Sequence, residues 1–115
     1  METASRAFQW GEWDCCCFAA DWVAQVTGSD PLTPFRGKYA SEREAARLFL
    51  PFGGLVGAID SVMERSEDPL IGVIETEAGS AAAIWRRPFW AFLSPGGVKM
   101  AKGDAIAGWR ECRQQ

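Results

Sequence analysis

The sequence contains no histidine, so it lacks the side chain that most often accepts or donates a proton in catalysis near neutral pH. It also lacks a CxxC pair, and without histidine it cannot complete the usual zinc ligand sets. No apolar run approaches the roughly 18 residues of a membrane span, and no signal peptide is recognisable. We therefore expect no cofactor, no bound metal and no membrane span.

An excess of basic residues is missing as well. The chain has 12 Lys and Arg against 15 Asp and Glu, and its net charge of −3 argues against a nucleic-acid partner. Its 115 residues are 48% hydrophobic and include six Trp and seven Phe, which is enough to build a core. The composition predicts a single folded domain over residues 1–115.

The most informative stretch is residues 8–23, where a turn leads to a cysteine at the start of a helix. Asp14 is a typical N-cap residue, and Gly28 is typical of a helix C-terminus. The apolar positions between them follow the spacing of one helical face, namely Cys15, Phe18, Ala19, Trp22, Val23 and Val26. A helix over residues 15–27 places the Cys15 thiol at the positive end of the helix dipole, which favours the thiolate.

The four cysteines are Cys15, Cys16, Cys17 and Cys112. Consecutive helical residues point about 100° apart, so one helix cannot direct all three neighbours at a single metal ion. We expect these three to carry no metal and to be mostly buried. A disulfide from Cys112 to the triplet, and a redox or metal-cluster role, are weaker alternatives.

The remainder of the chain predicts helices first and strands afterwards, which is an α+β fold. Ser41 and Glu44 form a capping box before a second helix that ends near Leu50, and a third amphipathic helix is expected over residues 55–64. After Pro69 the pattern changes to short apolar runs separated by turn residues, typical of a small antiparallel sheet. The expected strands are residues 70–76, 81–86, 89–93, 98–101 and 105–110.

Six residues are candidates for binding a ligand or partner. Trp10 and Trp13 either cap the core or stack on a ligand. Arg36 and Tyr39 either contact an anion or partner, or hold their own loop in place, with Tyr39 burying its ring and Arg36 bonding a carboxylate or carbonyl. Trp85 and Trp90 belong to an aromatic cluster that either meets a partner or forms a thick core.

A cysteine that follows Asp at a helix start, before an antiparallel sheet, resembles the NlpC-like branch of the papain fold. The chain is most similar to a compact NlpC-related family encoded by phages and prophages. The matching stretches are residues 8–16, 27–31, 35–39, 53–55 and 108–110. The resemblance implies a papain-like fold, with Cys15 as the nucleophile, Asp14 beside it, and a catalytic histidine near residues 81–84. Alanine and isoleucine occupy those positions instead.

A carboxylate is a poor replacement for that histidine. Its pKa of about 4 lies roughly four units below that of a thiol near 8.5, a mismatch on the order of 5–6 kcal/mol. The resemblance therefore favours a non-catalytic component of a phage or prophage tail tip, synthesised in the bacterial cytoplasm and carried in the virion. Its partners would be other tail or baseplate hub proteins. The alternative is a cysteine peptidase or amidase that uses Cys15 on peptidoglycan stem peptides.

Overall fold

A computed structural model describes residues 8–113 of the chain. Its helices are α1 (Cys15–Thr27), α2 (Glu42–Phe49) and α3 (Leu55–Asp60), with a 3₁₀ turn at Leu50–Phe52. Its strands are β1 (Met63–Arg65), β2 (Ile71–Thr76), β3 (Gly79–Arg86), β4 (Phe89–Ser94), β5 (Gly97–Ala101) and β6 (Ala107–Cys112). None of the helices in this part of the chain has the length and apolar character needed to cross a membrane.

Helix α1 begins and ends at the predicted residues because both of its caps are local. The Asp14 side chain accepts a hydrogen bond from the Cys17 backbone N–H at 2.9 Å, as an N-cap residue should. At the other end Gly28 adopts a left-handed conformation with φ of 84°, and its N–H donates to the carbonyl of Ala24. The prediction of a helix over residues 15–27 is confirmed.

Helix α2 begins at the predicted capping residue. The Ser41 side chain accepts from the Glu44 N–H at 3.1 Å, and the Glu44 carboxylate accepts from the N–H of Ala40. Pro51 lacks a backbone N–H and cannot continue the α-helical ladder, so the chain tightens into the 3₁₀ turn after Phe49.

The six strands form one antiparallel sheet in the order β1-β6-β2-β3-β4-β5. Five of them lie within one or two residues of the predicted strands at each end. Helices followed by an antiparallel sheet confirm the α+β class. The sequence order is kept from β2 to β5, while β6 returns to insert between β1 and β2.

The predicted third helix is wrong in its second half. Helix α3 ends at Asp60, and Met63–Arg65 forms the edge strand β1. Residues 55–63 do carry apolar residues at helical spacing, which is why a longer helix was expected. Pairing of Met63 with Cys112 and of Glu64 with Glu111 overrides that local pattern.

Helix α1 is held between two layers, so its apolar surface is wider than the predicted stripe. Ala19 and Val23 pack on the sheet, whereas Cys17 and Ala20 pack under a second layer. That layer is formed by the loop after α1 and by α2 and α3; its buried members include Leu32, Phe35, Tyr39, Phe49 and Ala58. Val26, expected on the buried face, is 47% exposed because neither layer reaches the last turn.

The opposite face of the sheet has a small core of its own. Trp90 lies across this face, contacts the backbone position of Gly72, and donates its indole N–H to the Gly103 carbonyl at 3.1 Å. A Cβ at Gly72 would lie 2.7 Å from the Trp90 ring, so only glycine leaves room for the indole.

Asp60 joins helix α3 to the β1 edge of the sheet. Its carboxylate accepts two hydrogen bonds from Arg65, at 2.8 and 2.9 Å, and one from the buried indole of Trp109 at 2.8 Å. The hydrogen bond from Arg65, strengthened by that from Trp109, lowers the pKa of Asp60 from 3.8 to about 2.

We predict that Asp60→Ala destabilises the domain by about 1–3 kcal/mol, because the Trp109 indole N–H loses its acceptor inside the core. Asp60→Asn keeps an acceptor for that indole and should be milder, which makes it the matched control. Urea unfolding near neutral pH measures both. Equal losses in the two variants would contradict the role given to the indole bond.

The same carboxylate should give the wild type a pH dependence. Its folded pKa is depressed, so its stabilising contribution is complete above its ordinary pKa of 3.8 and is lost as the pH falls towards about 2. The size is about 1 kcal/mol, since Asp60 is partly exposed and screened by solvent. Asp60→Asn should remove that part of the acid slope of stability.

Candidate functional site

The candidate site is built around the step from Asp14 to Cys15 at the start of α1. Asp14 is 0% exposed, and both of its carboxylate oxygens accept backbone N–H groups. One bond comes from Gly11 at 2.8 Å and the other from Cys17 at 2.9 Å. The carboxylate that the resemblance places beside the nucleophile thus holds the turn and the helix start together, with one N–H bond to each oxygen.

The Cys15 sulfur lies against strand β3. Its interaction with the Cys16 thiol lowers the pKa of Cys15 from its usual value; burial and the charge of Asp14 oppose this change, and the backbone of Ala82 assists it. The same Cys16–Cys15 bond, together with burial, raises the pKa of Cys16 well above its usual value. The balance of these effects leaves the pKa of Cys15 below its usual value, which favours its thiolate.

The other cysteines do not join this arrangement. Cys17 is fully buried, and burial followed by the charge of Asp14 raises its pKa to about 11. Cys15 and Cys16 keep a smaller part of their surface exposed, so the prediction that the three thiols are mostly buried is confirmed. Cys112 lies near the carbonyl of Ser29 with its thiol free, and no disulfide links it to the triplet. Within residues 8–113 no three potential ligands cluster in a way that could hold a metal ion.

Trp13 and Tyr39 enclose the helix start. Both are buried, with Trp13 packed edge-on against Phe18. Burial, with the nearby Cys16 and Asp14, raises the pKa of Tyr39. A Cβ on Gly11, which has a φ of +85°, would overlap the Tyr39 carbonyl, so glycine lets the turn close against this loop.

The two tryptophans of the first turn differ in position. Trp13 belongs to the core, in agreement with one of the two predicted alternatives. Trp10 is half-buried and stacks edge-on with Phe8, with ring centroids 5.2 Å apart. Within residues 8–113, no hydrogen bond or ring contact of Trp10 involves Cys15.

Arg36 and Tyr39 make the contacts that the sequence predicts for a pinned loop. Arg36 bonds Asp30 at 2.9 Å and Asp21 at 3.0 Å, which fastens the loop to the middle of α1. Tyr39 stacks edge-on against Phe49. Any contact of these residues with an anion or partner stays a prediction.

Trp85 and Trp90 lie away from the site. They pair directly across β3 and β4, with ring centroids 4.7 Å apart, on the face of the sheet opposite α1. Trp90 is buried, so it serves the small second core rather than a surface. The six candidate binding residues therefore do not form one site.

Sequence reasoning missed a surface groove beside α1. The groove has a volume of about 490 Å³, and its walls come from one side of α1 and from strands β3 to β5. Its principal lining residues are Phe18, Trp22, Ile84, Arg86, Val98 and Met100. The Arg86 guanidinium lies over the Trp22 ring at 5.4 Å. Aromatics at positions 18 and 22 share a helix face, but only the strand order reveals what lies opposite them.

These features define an α+β domain in which a helix N-terminus presents a cysteine to the middle of an antiparallel sheet. The chain belongs to the family described as a domain of unknown function, DUF6950, whose model matches residues 1–111. No curated protein and no solved structure shows a significant match to the chain.

We predict that Asp14→Ala destabilises the domain by about 2–4 kcal/mol, because it removes an N-cap and leaves two buried N–H groups without an acceptor. Ser41→Ala removes the exposed cap of α2 and is the matched control, with an expected loss of about 1 kcal/mol. Chemical unfolding of both variants measures the difference. A loss at Asp14 no larger than that at Ser41 would show that burial of the carboxylate adds nothing.

We also predict that Cys16→Ala raises the pKa of Cys15, because the thiolate loses the donor that stabilises it most. Cys16→Ser keeps a donor and should change the pKa less. Ultraviolet titration of the Cys15 thiolate, with Cys17 and Cys112 replaced by Ala in every variant, measures this. An unchanged pKa in Cys16→Ala would refute the bond between the two thiols.

Proposed function

We propose that this protein is a non-catalytic assembly component of a phage or prophage tail tip, built on a degenerate NlpC-like fold. The observation that carries the non-catalytic part is the set of groups at Cys15. The Cys15 side chain packs against the hydrophobic core on the sheet, and the adjacent Asp14 carboxylate accepts backbone N–H groups from Gly11 and Cys17 as a helix cap. A positioned thiol is present, and the chain has no histidine to act as its proton acceptor.

Hydrolysis of a peptide bond also needs an acid. Even with Cys15 as a ready thiolate, the departing amine must be protonated, and imidazolium does this in the peptidases that the chain resembles. The chain has no histidine. The Cys16 thiol has a pKa raised well above its usual value, so it is a poor proton donor near neutral pH.

The NlpC-like part of the proposal is supported by one contact. The resemblance implies a catalytic histidine near residues 81–84, and Cys15 packs against the core cluster that contains Ala82 from that same stretch. This proximity supports the proposal of a peptidase fold that has lost its histidine. The tail-tip setting, the virion location and the hub-protein partners rest on the sequence resemblance.

The lowered pKa of Cys15 favours one alternative, a cysteine peptidase or amidase acting on peptidoglycan stem peptides. In that case a carboxylate or a second chain must supply the missing base. Peptidoglycan would then be a partner as well as a substrate.

Two assays separate these functions, each comparing wild type with Cys15→Ser and with Cys112→Ser as the matched control. The first measures release of stem-peptide amines from purified peptidoglycan by the isolated protein. The second measures tail assembly after deletion of the gene and complementation with each variant. We expect no amine release from any of them, failed assembly in the deletion, and full rescue by both variants.

Each assay can overturn its own part of the proposal. Amine release by the wild type that Cys15→Ser abolishes and Cys112→Ser preserves would establish an enzyme. Normal tails in the absence of the gene would show that the assembly role is wrong.

A further inference from the structure

The two edges of the sheet are built differently. Strand β1 is three residues long, has an irregular register between Glu64 and Arg65, and exposes those two charged residues. Such features discourage the addition of another strand. Strand β5 is five residues long, pairs with β4 without a register shift, and exposes the apolar residues Val98 and Met100, by 41% and 53%.

The hairpin register shows where the free backbone groups of β5 point. Ser94 and Gly97 pair across a two-residue turn, and the pair that closes such a turn is hydrogen-bonded. Because hydrogen-bonded and non-hydrogen-bonded pairs alternate, Val98 and Met100 occupy non-hydrogen-bonded positions. Their N–H and C=O groups therefore point away from β4, and between Phe8 and Arg113 no other strand pairs with this edge.

The same two side chains form part of the groove beside α1. Val98 lies opposite Leu93, and Met100 lies opposite Ala91, on the face of the sheet that α1 covers only in part. An added strand would thus place every second side chain at the mouth of the groove, opposite Phe18 and Trp22.

The charged residues on the strands next to this edge are basic. Residues 79–103 contain four basic side chains, Arg86, Arg87, Lys99 and Lys102, and no acidic one, although the whole chain has a net charge of −3. Asp21, at the helix side of the groove, is already paired with Arg36 at 3.0 Å. Strand β5 itself is positive, since Lys99 is its only charged residue and Lys102 follows it, with Asp104 as the next acidic residue along the chain.

We propose that the free edge of β5 binds an extended segment of a partner protein in which apolar and acidic residues alternate. The backbone of Val98 and Met100 pairs with the segment, its apolar side chains enter the groove, and its acidic side chains meet Lys99 and the neighbouring cations. A second copy of this chain fits poorly. Antiparallel pairing of two β5 strands about their centre would set Lys99 against Lys99.

This inference rests on the proposed assembly role, since it names the surface and the chemistry of the partner. The probe is a synthetic peptide that alternates Glu with Val and Ile, and its control replaces every Glu by Lys. Backbone amide chemical shifts of the purified chain are followed by NMR up to about 1 mM peptide, which detects weak affinities. We expect saturable shifts centred on Val98 and Met100 with the Glu peptide, and none with the Lys peptide.

Two pairs of variants test the backbone and the charge separately. Met100→Pro removes an N–H that β4 does not use and should weaken binding at least about tenfold, whereas Met100→Thr keeps it and should retain more of the binding. Lys99→Glu should weaken binding of the Glu peptide about two- to fivefold and permit binding of the Lys peptide, while Lys38→Glu, on the loop after α1, should change neither. Melting temperatures confirm that each variant is folded.

Two kinds of result would contradict the inference. Absence of shifts at β5 with the Glu peptide, or equal binding of both peptides, would overturn the inference. Dimerisation in sedimentation experiments that Met100→Pro abolishes would assign the edge to a second copy instead. None of these results touches the peptidoglycan or tail assays, so this inference and the proposed function fail separately.

Discussion

The position of the cysteine depends on one buried charge. A carboxylate is tolerated in a protein interior only when hydrogen bonds replace its hydration, and Asp14 obtains one from the turn before α1 and one from the first turn of the helix. These bonds make the turn and the helix start a single unit, which directs Cys15 at β3. The acidic residue next to the thiol is therefore the cap that fixes the helix start.

Local chemistry accounts for the parts of the fold that the sequence could predict. The two helix caps, Asp14 and Ser41, act within three residues of themselves, and the strand pattern after Pro69 reflects alternation inside each strand. Strand β1 and the second layer over α1 depend on contacts distant in sequence. Met63 pairs with Cys112, and no periodicity of residues 55–64 reveals that partner. The predicted third helix over residues 55–64 is therefore too long, because a pairing distant in sequence sets where it ends.

The candidate site likewise has a part that the sequence predicts and a part that it does not. The Asp14–Cys15 step can be predicted from the sequence, because capping and helix dipoles are local effects. The contact of Cys15 with Ala82 cannot, since it depends on how α1 lies across the sheet. For Trp85 and Trp90 the sequence leaves open a partner contact or a thick core, and their pairing across β3 and β4 places both on the far face, where Trp90 closes a core. The absence of acidic residues over 79–103 can be seen in the sequence. Its relevance to binding depends on the position of β5 at the edge of the sheet.

The two sides of the domain therefore differ in what the fold requires of them. At the β1 side, Asp60, Arg65 and Trp109 bond the edge to helix α3 and to the main core. At the β5 side, Val98 and Met100 lie outside the hydrophobic clusters that stabilise the described part of the chain. Apolar surface that adds nothing to the core is a liability for a lone chain and is stabilised when another strand covers it. Within residues 8–113, the β5 edge is thus the end of the sheet at which the fold leaves apolar side chains and backbone groups unpaired.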